Sequence, residues 1–325
     1  MRSRTWLLAI AALIMVSALG IAVGPTPLSL HDVVLALMGR ADAATVAIVR
    51  AIRLPRVALA ALVGAALAVS GAVLQGSLRN PLAEPYLLGV SGGAAVGAVL
   101  AVSAGLGGSG VGLPLAAFAG AVGAVVLVLT IARAAGARGD PRVLLMAGVI
   151  VGAFANAVIM VALANAPVSA VRGATWWMMG SAADATWERV VWLALPVAVA
   201  GAALLTWGRE IDVLALGEDA AASLGIDASR AARRVYFASA VLAAATVAAA
   251  GLIGFVGLVV PHIARAAGVR QQRPLIVAAA LIGATLLVGA DIVARTVARP
   301  AELPLGAITA LIGVPFFLLQ LRRLG

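Results

Sequence analysis

The chain contains neither lysine nor cysteine. Without cysteine, disulfides, iron–sulfur clusters and thiolate metal sites are excluded. Without lysine, the phosphate-binding loop of nucleotide hydrolases, Gly-x-x-x-x-Gly-Lys-Ser/Thr, cannot be formed. The two histidines, His31 and His262, lie far apart in the sequence, which argues against a protein-ligated zinc or haem site. We therefore expect no catalytic residues, no metal site and no cofactor bound by this chain.

Charged and aromatic residues are scarce. Only 11% of residues are charged and 4% are aromatic, while 63% are hydrophobic and the mean hydropathy is +1.12. No charged side chain occurs between Glu84 and Arg133. A membrane-spanning helix needs about 20 apolar residues, so this stretch predicts two helices joined at the glycine-rich segment 105–114. Abundant alanine and glycine favour close helix packing in lipid.

The charge-free runs predict an all-α, polytopic membrane helix bundle in a single domain, 1–325. Ten spans are expected, which places both termini on the same side of the membrane. The first run resembles a signal peptide, but we expect it to remain as an uncleaved span. The predicted spans are 5–24, 57–78, two within 85–132, one within 143–171, 190–208, two within 235–264 (broken at 251–254), 274–290 and 303–321.

The basic residues are 23 arginines spread over short loops. They form no basic domain, so no nucleic-acid partner is expected. With cytoplasmic termini, most arginines fall on the cytoplasmic side, as the positive-inside rule requires. Arg53, Arg56 and Arg295 are exceptions at outer ends of spans. Two interpretations are open: they reach toward lipid headgroups, or they form a positive surface that docks an acidic protein.

The longest hydrophilic segment is 209–230, which the topology places in the cytoplasm. It predicts two short helices lying on the membrane face, with acids in the first turn of the second helix, where the helix dipole favours them. Its small side chains are suited to insertion into the groove of another protein. The predicted contact residues are Gly217, Glu218, Ala221, Ser223 and Leu224.

Short motifs from about residue 50 to the end of the chain, in order, resemble one family. They are 53–56 (RLPR), 76–85 (GSLRNPLAEP), 88–91, 177–180, 216–218 with 224–225, 254–262 (GFVGLVVPH), 290–295 and 302–306. The chain is similar to the FecCD-type permeases, the membrane subunits of type II ABC importers for iron–siderophore complexes, haem or vitamin B12.

This resemblance implies a set of partners. The family's permeases pair, here as a homodimer or as a heterodimer with a paralogous permease, in a bacterial cytoplasmic (inner) membrane. Two cytoplasmic ABC ATPase subunits bind ATP and Mg²⁺, and a periplasmic or lipid-anchored binding protein delivers the substrate. Segment 209–230 then couples to the ATPase, and Arg53, Arg56 and Arg295 dock the binding protein.

The resemblance also implies a cytoplasmic gate formed by two loops. The gate residues carried over are Asn80, Pro81, Leu82, Gly139 and Asp140. Asn80 precedes a proline and is therefore biased away from helical geometry. The family often has serine or threonine in the second loop, so Gly139 and Asp140 depart from its pattern.

Other functions compete with an iron-chelate importer. A cobalamin importer of the same type is the nearest alternative. An ion-coupled secondary transporter would need a buried carboxylate, and Asp291 is the one candidate. An intramembrane enzyme is disfavoured because the Gly-x-Ser-x-Gly and His-Glu-x-x-His patterns are absent.

Overall fold

A computed structural model describes residues 3–106, 110–136 and 141–321. The described residues form an all-helical bundle. A π-helical segment, Ile48–Arg53, joins α3 to α4, and a 3₁₀ turn, Pro85–Leu88, precedes α5. The helices are α1 (Ser3–Ala22), α2 (Leu30–Met38), α3 (Ala43–Ala47), α4 (Leu54–Ser77), α5 (Val90–Ser103), α6 (Gly112–Ala134), α7 (Pro141–Ala164), α8 (Val168–Met178), α9 (Trp187–Thr206), α10 (Gly208–Leu214), α11 (Glu218–Ser223), α12 (Ala228–Ala250), α13 (Val256–Ala266), α14 (Gln272–Ala294) and α15 (Leu305–Leu321).

Within the described ranges, seven helical segments are long and apolar enough to cross a membrane. They belong to α1, to α4 together with α3 and the π-helical segment before it, and to α6, α7, α9, α12 and α14. Three shorter apolar helices, α5, α13 and α15, correspond to the remaining predicted spans. The polytopic helix bundle is therefore confirmed, whereas the number of spans and the side of the termini stay predictions. The predicted fifth run divides into α7 and the separate helix α8.

The predicted break near residue 251 is confirmed. Helix α12 ends at Ala250, and α13 begins at Val256. Gly251 has φ of 73°, and a Cβ there would lie 2.2 Å from the Trp177 carbonyl oxygen, so both conformation and space require glycine. The Ser181 N–H donates to the Ala250 carbonyl at 2.8 Å. The break thus brings the 177–180 motif against the end of α12.

Helix α4 lies at the centre of the bundle and crosses two neighbours at glycines. A Cβ on Gly64 would lie 2.2 Å from the carbonyl oxygen of Gly283 in α14. A Cβ on Gly71 would lie 1.9 Å from the carbonyl oxygen of Gly257 in α13. Backbones approach this closely only where side chains are absent, as in membrane helix pairs with small interfacial residues. These crossings position α13 and α14 around α4.

Candidate functional site

The first predicted gate loop follows α4 directly. The Asn80 side-chain oxygen accepts a hydrogen bond from the Leu82 N–H at 2.9 Å, and the Asn80 carbonyl accepts one from the Ala83 N–H at 3.0 Å. These bonds fold Asn80, Pro81 and Leu82 into a tight turn of the kind that asparagine side chains stabilise. The Leu82 side chain is 51% exposed. The turn therefore presents one apolar side chain at its tip.

This turn is fastened to α13. The His262 Nε2 lies 3.0 Å from the Pro81 carbonyl oxygen. The Gln75 amide nitrogen lies 3.3 Å from the Gly257 and Leu258 carbonyl oxygens. The Gln75 side-chain oxygen accepts a hydrogen bond from Arg265 Nη1 at 2.6 Å. The predicted gate loop is thus attached to α13 through Pro81, and the end of α4 just before the loop is attached to both ends of α13 through Gln75.

Side chains that follow the predicted gate loop accept hydrogen bonds from backbone N–H groups in the non-helical segment before α13. The Phe255 N–H donates to the Glu84 carboxylate at 2.8 Å, and the Ile253 N–H donates to the Tyr86 hydroxyl at 3.0 Å. Backbone N–H groups that a helix break leaves without a helical acceptor need such partners when they are buried. Two of the family-like motifs, 76–85 and 254–262, therefore form a single hydrogen-bonded unit.

Sequence reasoning missed most of this unit. It assigned no role to Gln75, and it considered His262 only as a possible metal ligand. The partner of His262 is a backbone carbonyl, which no side-chain pattern reveals. The one available signal was that both segments carry the resemblance. The second predicted gate loop, Gly139 and Asp140, lies outside the described residues.

The predicted coupling segment forms two short helices, α10 and α11, as expected. Gly217 stands at the start of α11 with φ of 113°, and Gly225 follows its end with φ of 72°. The Ile226 N–H reaches the Ala221 carbonyl at 2.8 Å, and the Gly225 N–H reaches the Ala222 carbonyl at 3.0 Å, a Schellman ending. Glycine at 225 suits this left-handed position.

Not all predicted contact residues of this segment are exposed. Gly217 and Ala221 are buried, and Ala221 has no exposed surface, because that side of α11 packs onto the bundle. Glu218, Ser223 and Leu224 are exposed, with Leu224 at 59%. The surface available to a partner is therefore narrower than predicted and excludes Gly217 and Ala221.

An aspartate attaches α10 to the bundle. The Asp212 carboxylate accepts a hydrogen bond from the Gln272 N–H at the start of α14, at 2.9 Å. Partial burial raises the pKa of the Asp212 carboxyl, and this hydrogen bond opposes the increase. The coupling segment is thus held against α14 as well as against α12, to which the Arg234–Glu210 ion pair ties it at 3.1 Å.

The three arginines expected to dock a binding protein lie in the interior. Exposure is 3% for Arg53, 7% for Arg56 and 2% for Arg295. Arg56 pairs with Asp291 through Nη2 at 2.9 Å and with Glu302 through Nη1 at 2.9 Å. These pairs join α4, the end of α14 and the loop before α15. We refer to Arg56, Asp291, Glu302 and Arg295 as the charge cluster.

Arg53 and Arg295 fix the end of α1. Arg53 Nη1 donates to the Ile21 and Ala22 carbonyls at 2.7 Å, and its Nη2 donates to the Thr26 carbonyl. Arg295 donates to the Gly20 carbonyl at 2.7 Å and lies 3.4 Å from Asp291. Cations are favourable at a helix C-terminus, whose last carbonyls lack helical donors.

These positions do not fit the predicted docking role of the three arginines. Their guanidinium groups use their charge and hydrogen bonds inside the chain, so they cannot offer a bidentate pair to an external carboxylate without leaving these partners. Lipid headgroups do not account for them either, because the side chains point into the bundle. The sequence placed the three arginines at the ends of predicted spans but did not indicate that their side chains point into the bundle.

Comparisons with known proteins agree with this architecture. The model of the FecCD transport family matches residues 10–323. The chain is 47% identical over 276 residues to the cobalamin import system permease protein BtuC of Halobacterium salinarum, covering 85% of this chain and 73% of that protein. It is 40% identical over 285 residues to the hemin transport system permease protein HmuU of Yersinia pestis, covering 84% of this chain and 82% of that protein.

A solved structure matches almost the whole molecule. It is described as an inward-facing conformation of a metal-chelate type ABC transporter. The superposition has a TM-score of 0.89 at 29% identity and covers 98% of this chain and 99% of that one. With a family model matching nearly every residue, two relatives well above 30% identity and the same arrangement of helices, the chain belongs to the FecCD transport family.

Proposed function

We propose that the chain is the permease subunit of an ATP-driven ABC importer for an iron chelate, a siderophore complex or haem, in a bacterial inner membrane. The observation that carries this proposal is the match of 98% of the chain to a metal-chelate type transporter. The similarity to the hemin permease supports haem. The similarity to the cobalamin permease makes vitamin B12 the second candidate.

The proposed assembly contains two permeases, as a homodimer or paired with a paralogous permease. Two cytoplasmic ATPases bind ATP and Mg²⁺, and an external binding protein delivers the chelate. Ten spans, seven long and three short, would place both termini on the same side of the membrane, and the distribution of arginines favours the cytoplasmic side. The gate loop and α11 then lie on the cytoplasmic side, and the charge cluster lies near the outer side.

The surroundings of Asp291 argue against ion-coupled transport. Asp291 is 1% exposed, and two arginines, Arg56 and Arg295, lie 2.9 Å and 3.4 Å from its oxygens. Both carboxylate oxygens of Asp291 are therefore already paired with arginines of this chain. A carboxylate that carries protons or sodium must instead release and rebind its cation during each cycle. Asp291 is therefore better explained as a structural partner of the arginines.

The substrate can be identified by an uptake panel. The permease is expressed with its ATPase and binding protein in cells lacking other uptake systems for the tested compounds. Haemin, ferric citrate, a hydroxamate siderophore complex and cyanocobalamin are offered separately. We expect accumulation of one iron chelate. Accumulation of cyanocobalamin alone would favour the second candidate, and accumulation of none would contradict the assignment of this substrate class.

A coupling prediction concerns Leu224. Leu224→Glu places a charge on the exposed end of α11, and desolvating that charge in a protein groove is unfavourable. We expect at least about a tenfold loss of ATPase affinity, the equivalent of 1.4 kcal/mol, with the permease still folded. Affinity is measured by co-purification and by titration in detergent. Arg230→Glu, an exposed change beyond α11, is the control, and equal loss in both variants would contradict a specific contact.

A gate prediction concerns Leu82. Leu82→Ala removes most of the apolar side chain at the tip of the turn, so we expect faster passive efflux of a mid-sized solute from proteoliposomes without ATP. Leu87→Ala is the matched control, because Leu87 is also exposed, at 39%, but lies outside the turn. Equal efflux from parent and Leu82→Ala vesicles would place the gate elsewhere.

A further inference from the structure

Arg79 ends α4 in an unfavourable backbone conformation. Its φ is 50°, in the left-handed region. The Arg79 N–H donates to the Gly76 carbonyl at 3.3 Å, and the Asn80 N–H donates to the Gln75 carbonyl at 3.2 Å. This is a Schellman ending, in which the left-handed residue is usually glycine because a Cβ is disfavoured there. The helix end alone does not explain why an arginine occupies this position.

The Arg79 side chain extends to the coupling segment. A Cβ added to Gly217 would lie 3.2 Å from Arg79 Nη1, so the guanidinium lies directly against the Gly217 backbone. Gly217 is the residue from which α11 begins. Arg79, Gly217 and Glu218 also line a cavity of about 20 Å³, together with Ser77 at the end of α4. That is room for about one water molecule.

These contacts place one residue between two elements with different proposed roles. On its C-terminal side, Arg79 is followed directly by the gate loop, in which the Asn80 side chain accepts a hydrogen bond from the Leu82 N–H. At the tip of its side chain, Arg79 meets Gly217, the N-cap residue immediately before α11, the helix that is proposed to face the ATPase. A displacement of α11 would press on the guanidinium, and the tight turn would carry that displacement to Leu82.

We propose that Arg79 is a positioning residue that transmits movement of α11 to the gate loop. The inference rests on the proposed function, which assigns α11 to the ATPase contact. Backbone strain at a functional element persists when the surrounding structure maintains it and the strain serves a purpose. Here the long cationic side chain of this left-handed residue reaches Gly217. Glycine at 217 leaves the space that this side chain occupies.

Arg79→Gly separates a transmitting role from a structural one. Glycine suits the left-handed position better than arginine, so a purely structural role predicts unchanged or higher thermal stability and unchanged coupling. Transmission predicts a folded, ATPase-bound variant whose ratio of transported chelate to hydrolysed ATP falls at least about fivefold, the low end of common coupling strengths. Arg79→Lys retains a long cation and should recover part of the ratio. Arg79→Asn, which also tolerates this conformation, replaces Arg79→Gly if the glycine variant does not fold.

The absence of cysteine permits a direct measurement of the gate. Leu82→Cys gives the chain a single thiol, and its rate of reaction with a membrane-impermeant maleimide is measured with and without a non-hydrolysable ATP analogue. We expect the analogue to change this rate in the Leu82→Cys complex and to change it by less than half as much once Arg79→Gly is added. An equal response in both overturns the inference alone. A Leu82→Cys chain that neither binds the ATPase nor responds to nucleotide overturns the proposed function, and this inference with it.

Discussion

Arg56→Met is expected to destabilise the folded protein by roughly 3–5 kcal/mol, the usual cost of removing one partner from a buried ion pair. Arg56 holds two carboxylates at once, Asp291 at 2.9 Å and Glu302 at 2.9 Å. Methionine replaces the apolar stem of the arginine as far as about the Nε position and omits the guanidinium, so the lost charge and hydrogen bonds dominate and the space left behind adds to the loss. Asp291 retains the more distant Arg295, but Glu302 loses its ion-pair partner in the cluster. The midpoint of thermal unfolding in detergent measures the loss.

A second substitution that removes the unpaired charge should restore part of the lost stability. Adding Glu302→Gln to Arg56→Met removes the unpaired carboxylate and leaves Asp291 with Arg295, so part of the lost stability should return. Arg230→Ala is the matched control for losing an arginine ion pair, because Arg230 lies 3.6 Å from Asp227 at the surface. Exposed pairs contribute only about 0–1 kcal/mol. If Arg56→Met and Arg230→Ala cost the same, or if Glu302→Gln lowers stability further, the cluster does not act through its charges.

Gly71→Ala is expected to force α4 and α13 apart. The added Cβ would lie 1.9 Å from the Gly257 carbonyl oxygen, a contact with backbone that no rotamer change relieves. Overpacking of a dense interior typically costs about 1–3 kcal/mol and occasionally more. The same carbonyl accepts a hydrogen bond from the Gln75 amide, so the attachment between α13 and the end of α4 that leads into the gate loop should weaken too. We expect a lower unfolding midpoint and faster passive efflux from proteoliposomes.

Gly289→Ala is the control for this change. Gly289 also lies within a long apolar helix, α14, but a Cβ there meets no atom within 4 Å. Alanine is the better helix former, so this variant should unfold at the parent temperature or slightly above it. Gly283→Ala, in the same helix, should behave like Gly71→Ala, because its Cβ would lie 2.3 Å from the Gly64 carbonyl oxygen. Equal midpoints for all three alanine variants would contradict the close crossings.

The sequence predicted features that depend on local chemistry. Charge-free runs identified the apolar helices, and the glycines at 251–254 marked a helix break, because the left-handed conformation that Gly251 adopts excludes most side chains. The short helices of the coupling segment followed from the same reasoning. Each of these features depends on residues within one or two helical turns of each other, so the local sequence is enough to predict it.

Features that depend on distant partners were not predictable. Asp291 and Glu302 lie 235 and 246 positions after Arg56, so nothing local indicated that this arginine points inward. Ala221 was expected on an exposed surface because α11 is rich in small residues, yet one face of such a helix must pack somewhere. His262 binds a backbone carbonyl, which every residue carries and which no pattern therefore distinguishes.

The energy source for uptake tests the central proposal most directly. The purified permease is reconstituted into proteoliposomes with its ATPase, and the binding protein is supplied on the outside with the chelate that the uptake panel identifies. We predict accumulation of the chelate that requires enclosed ATP, the ATPase and the binding protein together. Ionophores that dissipate proton and sodium gradients should leave this accumulation unchanged. Accumulation driven by an imposed proton or sodium gradient in vesicles without the ATPase would contradict the account.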